Sequence, residues 1–202
     1  MNWPKLTTAS GLAICLMVLA GCAVRAPVSP TAVEKMPIAQ WSIPAFPERW
    51  QLNGRAALQL KEQALSASVQ WRERPAHYRI DLRGGLGAGN IRVVGDDTQV
   101  VLTRADGERL TASNPEELIR ATTGYELPIS LLRWWVTGRP APWLEGEVVV
   151  DADGRAQWLE QAGWQVVFDR YTAQSGYALP GRLALSRHHV EVRFAIQSWQ
   201  LQ

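Results

Sequence analysis

The chain is predicted to be mainly β with a helical lid, an α+β arrangement. We expect about 11 antiparallel strands in one curved sheet under a helical cover. Three observations predict it. Period-two alternation of apolar and polar residues recurs from Trp50 to Gln197 in short stretches separated by turn residues. The pattern breaks once, over 114–138, where two helix signatures stand between two runs of strands. Finally, ten tryptophans in 202 residues exceed what a small closed core absorbs, which points to an apolar surface around a ligand or partner.

The first strand is Trp50 to Leu60, with Trp50, Leu52, Ala56, Leu58 and Leu60 on one face and Gln51, Asn53, Arg55 and Gln59 on the other. Leu65 to Trp71 and Tyr78 to Leu82 repeat the pattern. Ile91 and Val93, then Val100 and Leu102, follow with turns at Asp96-Asp97 and Ala105-Asp106-Gly107. Asn114-Pro115-Glu116-Glu117 is a helix start, with Asn114 as cap, Pro115 in the first turn and Glu117 placed for a capping box; Gly124 ends the helix. A second helix is predicted from Pro128 to Thr137, stopped by Gly138 and Pro140. It is apolar nearly all round, with Ile129, Leu132, Trp135 and Val136 on one face and Leu131 and Trp134 on another, so it must cover something on both sides. Strands resume at Glu147–Val150, Ala156–Leu159 and Trp164–Asp169. A loose loop through Ser175-Gly176 and Pro180-Gly181 precedes Leu183 and Leu185, and the last strand runs from Val190 to Gln197. If such a sheet closes tightly its side chains fill the interior; if it stays half open, helices must cap it and a cavity remains beneath them. Candidate wall residues are Trp50, Trp71, Trp164 and Phe168; candidate lid residues are Leu131, Leu132, Trp134 and Trp135.

Between two strands lies Arg83-Gly84-Gly85-Leu86-Gly87-Ala88-Gly89-Asn90. A large apolar side chain held up by glycines is unusual, because loop side chains face water. Leu86 either folds back onto the core or stands exposed as a contact point. The glycines are not a dinucleotide fingerprint: their spacing is not G-x-G-x-x-G, and a strand rather than a helix follows.

Other chemistry is sparse. His188 and His189, with Glu191 nearby, fall where a hairpin turn is expected and have no evident third ligand, so a solvated turn is the better reading than a metal site. His77 stands alone beside a strand, Ser175 lacks the G-x-S-x-G elbow, and no carboxylate pair suggests an acid/base couple. We expect no enzyme and no metal. The formal charge of +2 is no nucleic-acid footprint, so no nucleic-acid partner is expected.

At the amino terminus one positive charge, Lys5, precedes an apolar stretch that is densest from Leu12 to Ala20 and ends in Leu19-Ala20-Gly21-Cys22. This is the layout of a secretory signal, too short for the roughly 20 residues of a comfortable span. Leu-Ala-Gly-Cys resembles the lipobox of bacterial lipoproteins. That resemblance implies cleavage before Cys22, an S-diacylglycerol on its thiol and an N-acyl chain on the new amino terminus. Ala23, where an aspartate would imply inner-membrane retention, implies the outer membrane and an anchored domain on its periplasmic face. The expected division is a signal peptide over 1–21, a lipidated, proline-rich tether over 22–47 and the folded domain over 48–202. Spaced prolines at 27, 30, 37, 44 and 47 deny helix and central strand, and Trp41, Ile43 and Phe46 begin the packed part. With Cys15 in the leader, no internal disulfide is possible in the mature chain.

The whole pattern resembles the LolB family, the outer-membrane receptors for lipoproteins in Gram-negative bacteria. The resemblance rests on the lipobox, Trp50-Gln51-Leu52-Asn53-Gly54-Arg55, Gly85-Leu86-Gly87 after a strand, Leu132-Arg133-Trp134-Trp135-Val136-Thr137-Gly138, and Gly163-Trp164-Gln165-Val166. It implies a curved, incomplete antiparallel β-barrel enclosing an apolar cavity under a helical lid, in a monomer whose cavity accepts acylated lipoproteins from the periplasmic carrier LolA. It also implies that Leu86, in a protruding loop with Gly85 and Gly87, meets outer-membrane lipid during insertion. No cofactor is implied beyond the acyl groups on Cys22. The alternative is a lipid-anchored envelope scaffold that binds a protein through an aromatic surface; a lipid or sugar hydrolase is weaker still.

Overall fold

Twelve strands form one antiparallel sheet. They are β1 (Met36–Pro37), β2 (Trp50–Gln59), β3 (Ala64–Arg74), β4 (His77–Arg83), β5 (Asn90–Gly95), β6 (Val100–Thr103), β7 (Arg109–Ala112), β8 (Glu147–Val150), β9 (Ala156–Gln161), β10 (Trp164–Gln174), β11 (Tyr177–Arg187) and β12 (Val190–Leu201). Two helices, α1 (Pro115–Thr123) and α2 (Ile129–Trp135), stand between β7 and β8. The computed structural model describes residues 34–61, 63–84 and 89–202. Residues 33–202 form one compact unit that holds the whole core and so can fold on its own.

The sheet order is β1-β8-β9-β10-β11-β12-β2-β3-β4-β5-β6-β7. Two meanders, β2–β7 and β8–β12, are therefore stitched together where the last strand pairs with the first long one, Val192 opposite Leu58 and Phe194 opposite Ala56. The ends, β1 and β7, do not meet, so the barrel stays open. Gly54 sits at the stitch, where a side-chain carbon would lie 2.5 Å from the carbonyl oxygen of Ala195. That close approach is next to a register shift between Ile196 and Ser198 in β12, and only glycine permits it.

Three stretches differ from the sequence reading. The first is β1, which draws part of the expected tether into the fold: Met36 pairs with Val148, Ile38 and Trp41 are buried, and Trp41 Nε1 donates to the carbonyl of Gly154 (2.9 Å). The packed domain thus starts before residue 48, because the edge of β8 needs a partner and a proline at a sheet edge costs no ladder bond. The second is β7, only four residues long, which pairs with β6 and carries a short alternation at Leu110 and Ala112. The third is the expected loose loop at Pro180-Gly181. There β11 runs straight through, with Ser175-Gly176 as a tight turn of positive φ (51° and 80°). Register shifts around Arg170 form the bulge that accommodates Pro180 inside the strand.

Both helices begin where the sequence puts them. Asn114 Oδ1 accepts from the backbone N–H of Glu117 (2.7 Å), and Gly124 closes α1 in the left-handed conformation at φ 76°. No side chain of its own caps α2. Glu116, reaching across from α1, accepts from the backbone N–H (2.7 Å) and the hydroxyl (3.1 Å) of Ser130, so one helix caps the other.

Candidate functional site: a lid-covered apolar cavity

Under the helices lies a cavity of about 690 Å³. That size falls within the range of roughly 300–1,000 Å³ usual for small-molecule sites. Its sheet wall comes from the inward residues of β2 to β6 with Leu185, Val192 and Phe194 from β11 and β12. Its roof is the apolar stripe of α1, Pro115, Leu118, Ile119 and Thr122 at helical spacing, together with Ile129 and Leu132 of α2. The space exists because small residues hold the middle of the wall: Ala56 and Ala67 stand directly opposite each other, with Phe194 opposite Ala56 from the other side. Polar lining residues gather at one end, where Gln63, Arg104 and Asp106 stand in the β2–β3 and β6–β7 turns. Arg104 pairs with Glu108 there (2.6 Å). Polar side chains at a cavity end mark where it meets water, so we take that end as the mouth.

Aromatic residues close the opposite end. Trp50 lies 5.6 Å from Trp71 and 5.4 Å from Trp199, and Phe46 packs on Trp50 (6.4 Å), Trp199 (5.9 Å) and Tyr177 (6.2 Å) between ring centres. The tryptophan excess is thus absorbed largely by a plug and by the core. Of the candidate residues, Trp71 and Leu132 line the cavity. Trp50, Trp135, Trp164 and Phe168 are buried in the core away from the cavity wall. Leu131 and Trp134 face away from the cavity: Leu131 borders an outer groove that Trp164 and Trp143 also line, and Trp134 stacks edge-on against Trp143 at 5.7 Å. Alternation in the strands marks the inner face, but it does not say where along that face packing is tight and where it opens. The wall residues missed by sequence reasoning are alanines and aliphatics, whose one signal was membership of the inward phase.

Two polar devices hold α2. At its carboxyl-terminal end Trp135 Nε1 donates to Gln161 Oε1 (2.9 Å), which also accepts from the Ala141 N–H (2.9 Å). Gln161 Nε2 donates to the carbonyls of Ala141 (3.0 Å) and Leu144 (2.9 Å). The amide is 1% exposed and fully satisfied, so it fixes the helix end and the loop after it to β9. Mid-helix, Arg133 Nε donates to Glu73 Oε1 (2.9 Å) and its guanidinium lies 4.5 Å over the ring of Tyr78. Trp71 Nε1 donates to the other Glu73 oxygen (3.1 Å). Burial pushes the Glu73 carboxyl above its ordinary range, and the Arg133 and Trp71 bonds only partly offset it. Burial likewise pushes the Tyr78 hydroxyl to about 12. These groups tie the lid to the sheet and sit beside the cavity.

The glycine-rich connection between β4 and β5 leaves the sheet at the mouth. Its stem is Arg83 opposite Asn90, next to the lining pair Leu82 and Ile91. Gly89, at φ 72°, lies against the β6–β7 turn, where a side-chain carbon would be 2.9 Å from Ala105 Cβ, itself a lining residue. Gly85, Leu86 and Gly87, like Cys22, lie outside the described residues. His188 and His189 are exposed in the β11–β12 turn. Among the described residues no His, Cys, Asp and Glu group could hold a metal ion, and no helix is long and apolar enough to cross a membrane.

Residues 48–199 match the family model for outer membrane lipoprotein LolB. Proteins named outer-membrane lipoprotein LolB are 40% identical over 190 residues in Halorhodospira halophila (91% of this chain, 90% of the relative) and 37% identical over 189 residues in Ectopseudomonas mendocina (92% of each). The relative in Alkalilimnicola ehrlichii is 43% identical over 153 residues, covering 75% of this chain and 76% of its own. Among solved structures, a LolA superfamily protein from Nitrosomonas europaea superposes with a TM-score of 0.51 at 7% identity, over 78% of this chain and 88% of that one. A Vibrio parahaemolyticus domain described as an outer-membrane lipoprotein-sorting protein gives 0.53 at 9% identity, over 76% and 85%. At such identities the structural likeness concerns the fold alone.

Proposed function

Because the chain belongs to the LolB family of outer-membrane lipoproteins, we propose that it is an anchored receptor that takes acylated lipoproteins from the carrier LolA and inserts them into the outer membrane. The observation that carries this reading is the position of the cavity mouth. An apolar cavity opens at the same end of the sheet from which the Gly85-Leu86-Gly87 connection emerges. Acyl chains leaving the cavity would pass the stem of that connection, Arg83 and Asn90, whose sequence carries a leucine among glycines. Cys22, bearing the S-diacylglycerol and N-acyl groups, holds the domain on the periplasmic face of the membrane as a monomer.

The energetics support a pocket-to-pocket route. Three chains of about 16 carbons, at ~0.8 kcal/mol per CH₂, gain several tens of kcal/mol by avoiding water. Cargo therefore stays under apolar cover throughout. Transfer needs no nucleotide if this cavity is better than the carrier's and the bilayer better still. The Arg133–Glu73 tie and the Gln161 anchor keep α2 over the core, while α1 meets the cavity through apolar contact and is tied to α2 through the bonds of Glu116 with Ser130, so lifting α1 costs that cap as well.

The test uses purified protein, radiolabelled acylated cargo bound to LolA, and vesicles. Leu86→Glu is expected to fold and accept cargo as the parent does while delivery to vesicles is lost. Equal loss of acceptance would remove the role given to Leu86. A domain that never takes cargo from LolA would overturn the receptor reading. In that event the exposed Trp143, 59% accessible and stacked on Trp134, would favour a scaffold that binds a protein through an aromatic surface.

A further inference from the structure

The convex face of the sheet, turned away from the cavity, carries a charge asymmetry that cargo binding does not use. Outward residues of β2–β7 alternate with the cavity-side ones, and many are arginines. Arg72, Arg74 and Arg79 lie toward the aromatic plug. Arg55, Arg83, Arg92 and Arg109 lie toward the mouth. The one acid pointing outward from these strands is Asp81, which takes Arg79 (2.7 Å) and Arg92 (2.8 Å). The whole chain has a formal charge of only +2, so positive charge is concentrated here. The lid side carries Glu116, Glu117 and Glu126 instead.

This arrangement is unfavourable for folding by itself. Arg72 and Arg79 are directly opposite each other in neighbouring strands, and like charges so placed destabilise a sheet. Arg55, Arg83 and Arg109 are exposed and have no acidic partner among the described residues. The register aligns Arg55, Ser68, Arg83 and Asn90 across four strands, so Arg55 and Arg83 stand about 10 Å apart, two strand spacings. One step further from the mouth, Arg92, Thr103 and Arg109 make the next row. Both rows frame the stem of the β4–β5 connection.

We propose that the mouth-end half of this convex face binds anionic phospholipid headgroups and so seats the cavity mouth against the bilayer. The proposal deepens the delivery reading and rests on it. Three observations favour lipid over an acidic protein. Every basic residue in the rows is arginine, whose planar fork suits phosphate oxygens. The mouth-end charges are spread across four strands, β2, β4, β5 and β7, on a convex surface rather than gathered in a cleft. Finally, the chain belongs to a family of outer-membrane lipoproteins, so an anionic lipid surface is always within its reach.

The test uses residues 33–202, free of leader and anchor, sedimented with vesicles. One set contains phosphatidylethanolamine with phosphatidylglycerol, the other phosphatidylethanolamine with neutral phosphatidylcholine. The domain is expected to prefer the anionic set and to lose that preference as salt shortens the screening length. Arg55→Gln, Arg83→Gln and Arg109→Gln together are expected to weaken anionic binding on the order of a hundredfold. Lysine at the same three positions should restore most of it, which shows that the glutamine variant failed through charge and not folding. Arg120→Gln with Arg170→Gln, which removes charge elsewhere, should change little. A fluorescent fatty acid should enter the cavity of every variant equally, so a failure of the cavity reading would appear separately. Equal binding to both vesicle sets, or equal loss in the control pair, would overturn the proposal. Unchanged vesicle binding by the triple variant would assign the face to a protein partner and overturn it too.

Discussion

The two sides of the molecule are built from the same alternating strands, yet one is solid and the other hollow. On the β8–β11 side, Leu159, Val148, Val166, Trp135 and Trp164 are buried, and Gln161 locks the end of α2 with a full set of hydrogen bonds. On the β2–β6 side the wall is stepped down by Ala56 and Ala67, and α1 spans the gap on an apolar stripe. In the proposed receptor cycle the solid side would fix the frame and the hollow side exchange its contents, since regions with fewer buried contacts open at lower free energy.

That contrast can be broken most severely at Gln161. Gln161→Leu removes the acceptor of Trp135 and of the Ala141 N–H and the donor to two carbonyls, leaving buried groups unsatisfied. A loss on the order of 4 kcal/mol is expected in denaturant unfolding; a loss below 1 kcal/mol would mean that the amide is not the anchor. The same chemical change in the two regions sharpens the comparison. Leu159→Ala, in the solid side, should cost about 3 kcal/mol because it encloses a new void. Leu58→Ala, on the wall of an existing cavity, should cost only about 1 kcal/mol while weakening fatty-acid binding. Equal costs would show that the hollow side is packed as tightly as the other.

The smallest effects concern the tie between lid and sheet. Glu73→Ala takes the acceptor from Arg133 and Trp71 and should cost about 2 kcal/mol, whereas Glu73→Gln keeps an acceptor and should stay within about 1 kcal/mol of the parent. The pH dependence has a definite sign. Burial raises the Glu73 value in the folded chain above its ordinary 4.5. Its contribution is therefore complete below 4.5 and is lost as pH rises through the raised value. Asp81 runs the other way. Burial works against its charge, but hydrogen bonds from Arg79 and Arg92 outweigh burial and hold it below 3.8, so its contribution is lost as pH falls through that depressed value. Unfolding measured across pH should show Glu73→Gln gaining on the parent as pH rises toward neutrality; a parallel pair of curves would remove the assignment to Glu73.

Much of this was legible in the residues. Alternation placed the long strands, and Asn114, Pro115 and Gly124 bounded α1 because caps are local chemistry. The two-sided apolar pattern of α2 correctly separated Ile129, Leu132, Trp135 and Val136 from Leu131 and Trp134. What misled was size. Large aromatic residues suggest a ligand wall, but Trp50 and Trp199 serve as a plug and Trp135 and Trp164 as core. The cavity is made by what is small, and an alanine in a strand gives no sign of whether its neighbours will fill the space beside it.

The sequence by itself determined the antiparallel sheet, its two helices and their order, because period, caps and turns act over a few residues. It also carried the short motifs, Trp50-Gln51-Leu52-Asn53-Gly54-Arg55 and Leu132-Arg133-Trp134-Trp135 among them, on which the family resemblance rests. Only the tertiary structure decided that β12 closes on β2, that Met36–Pro37 guards an edge, and that seven arginines share one convex face. Only it put the mouth of the cavity and the β4–β5 connection at the same end. The first two of these depend on register between residues more than a hundred positions apart, Val192 with Leu58 and Met36 with Val148; the others depend on how successive hairpins join into one sheet, and no local pattern in the chain encodes which strands will meet.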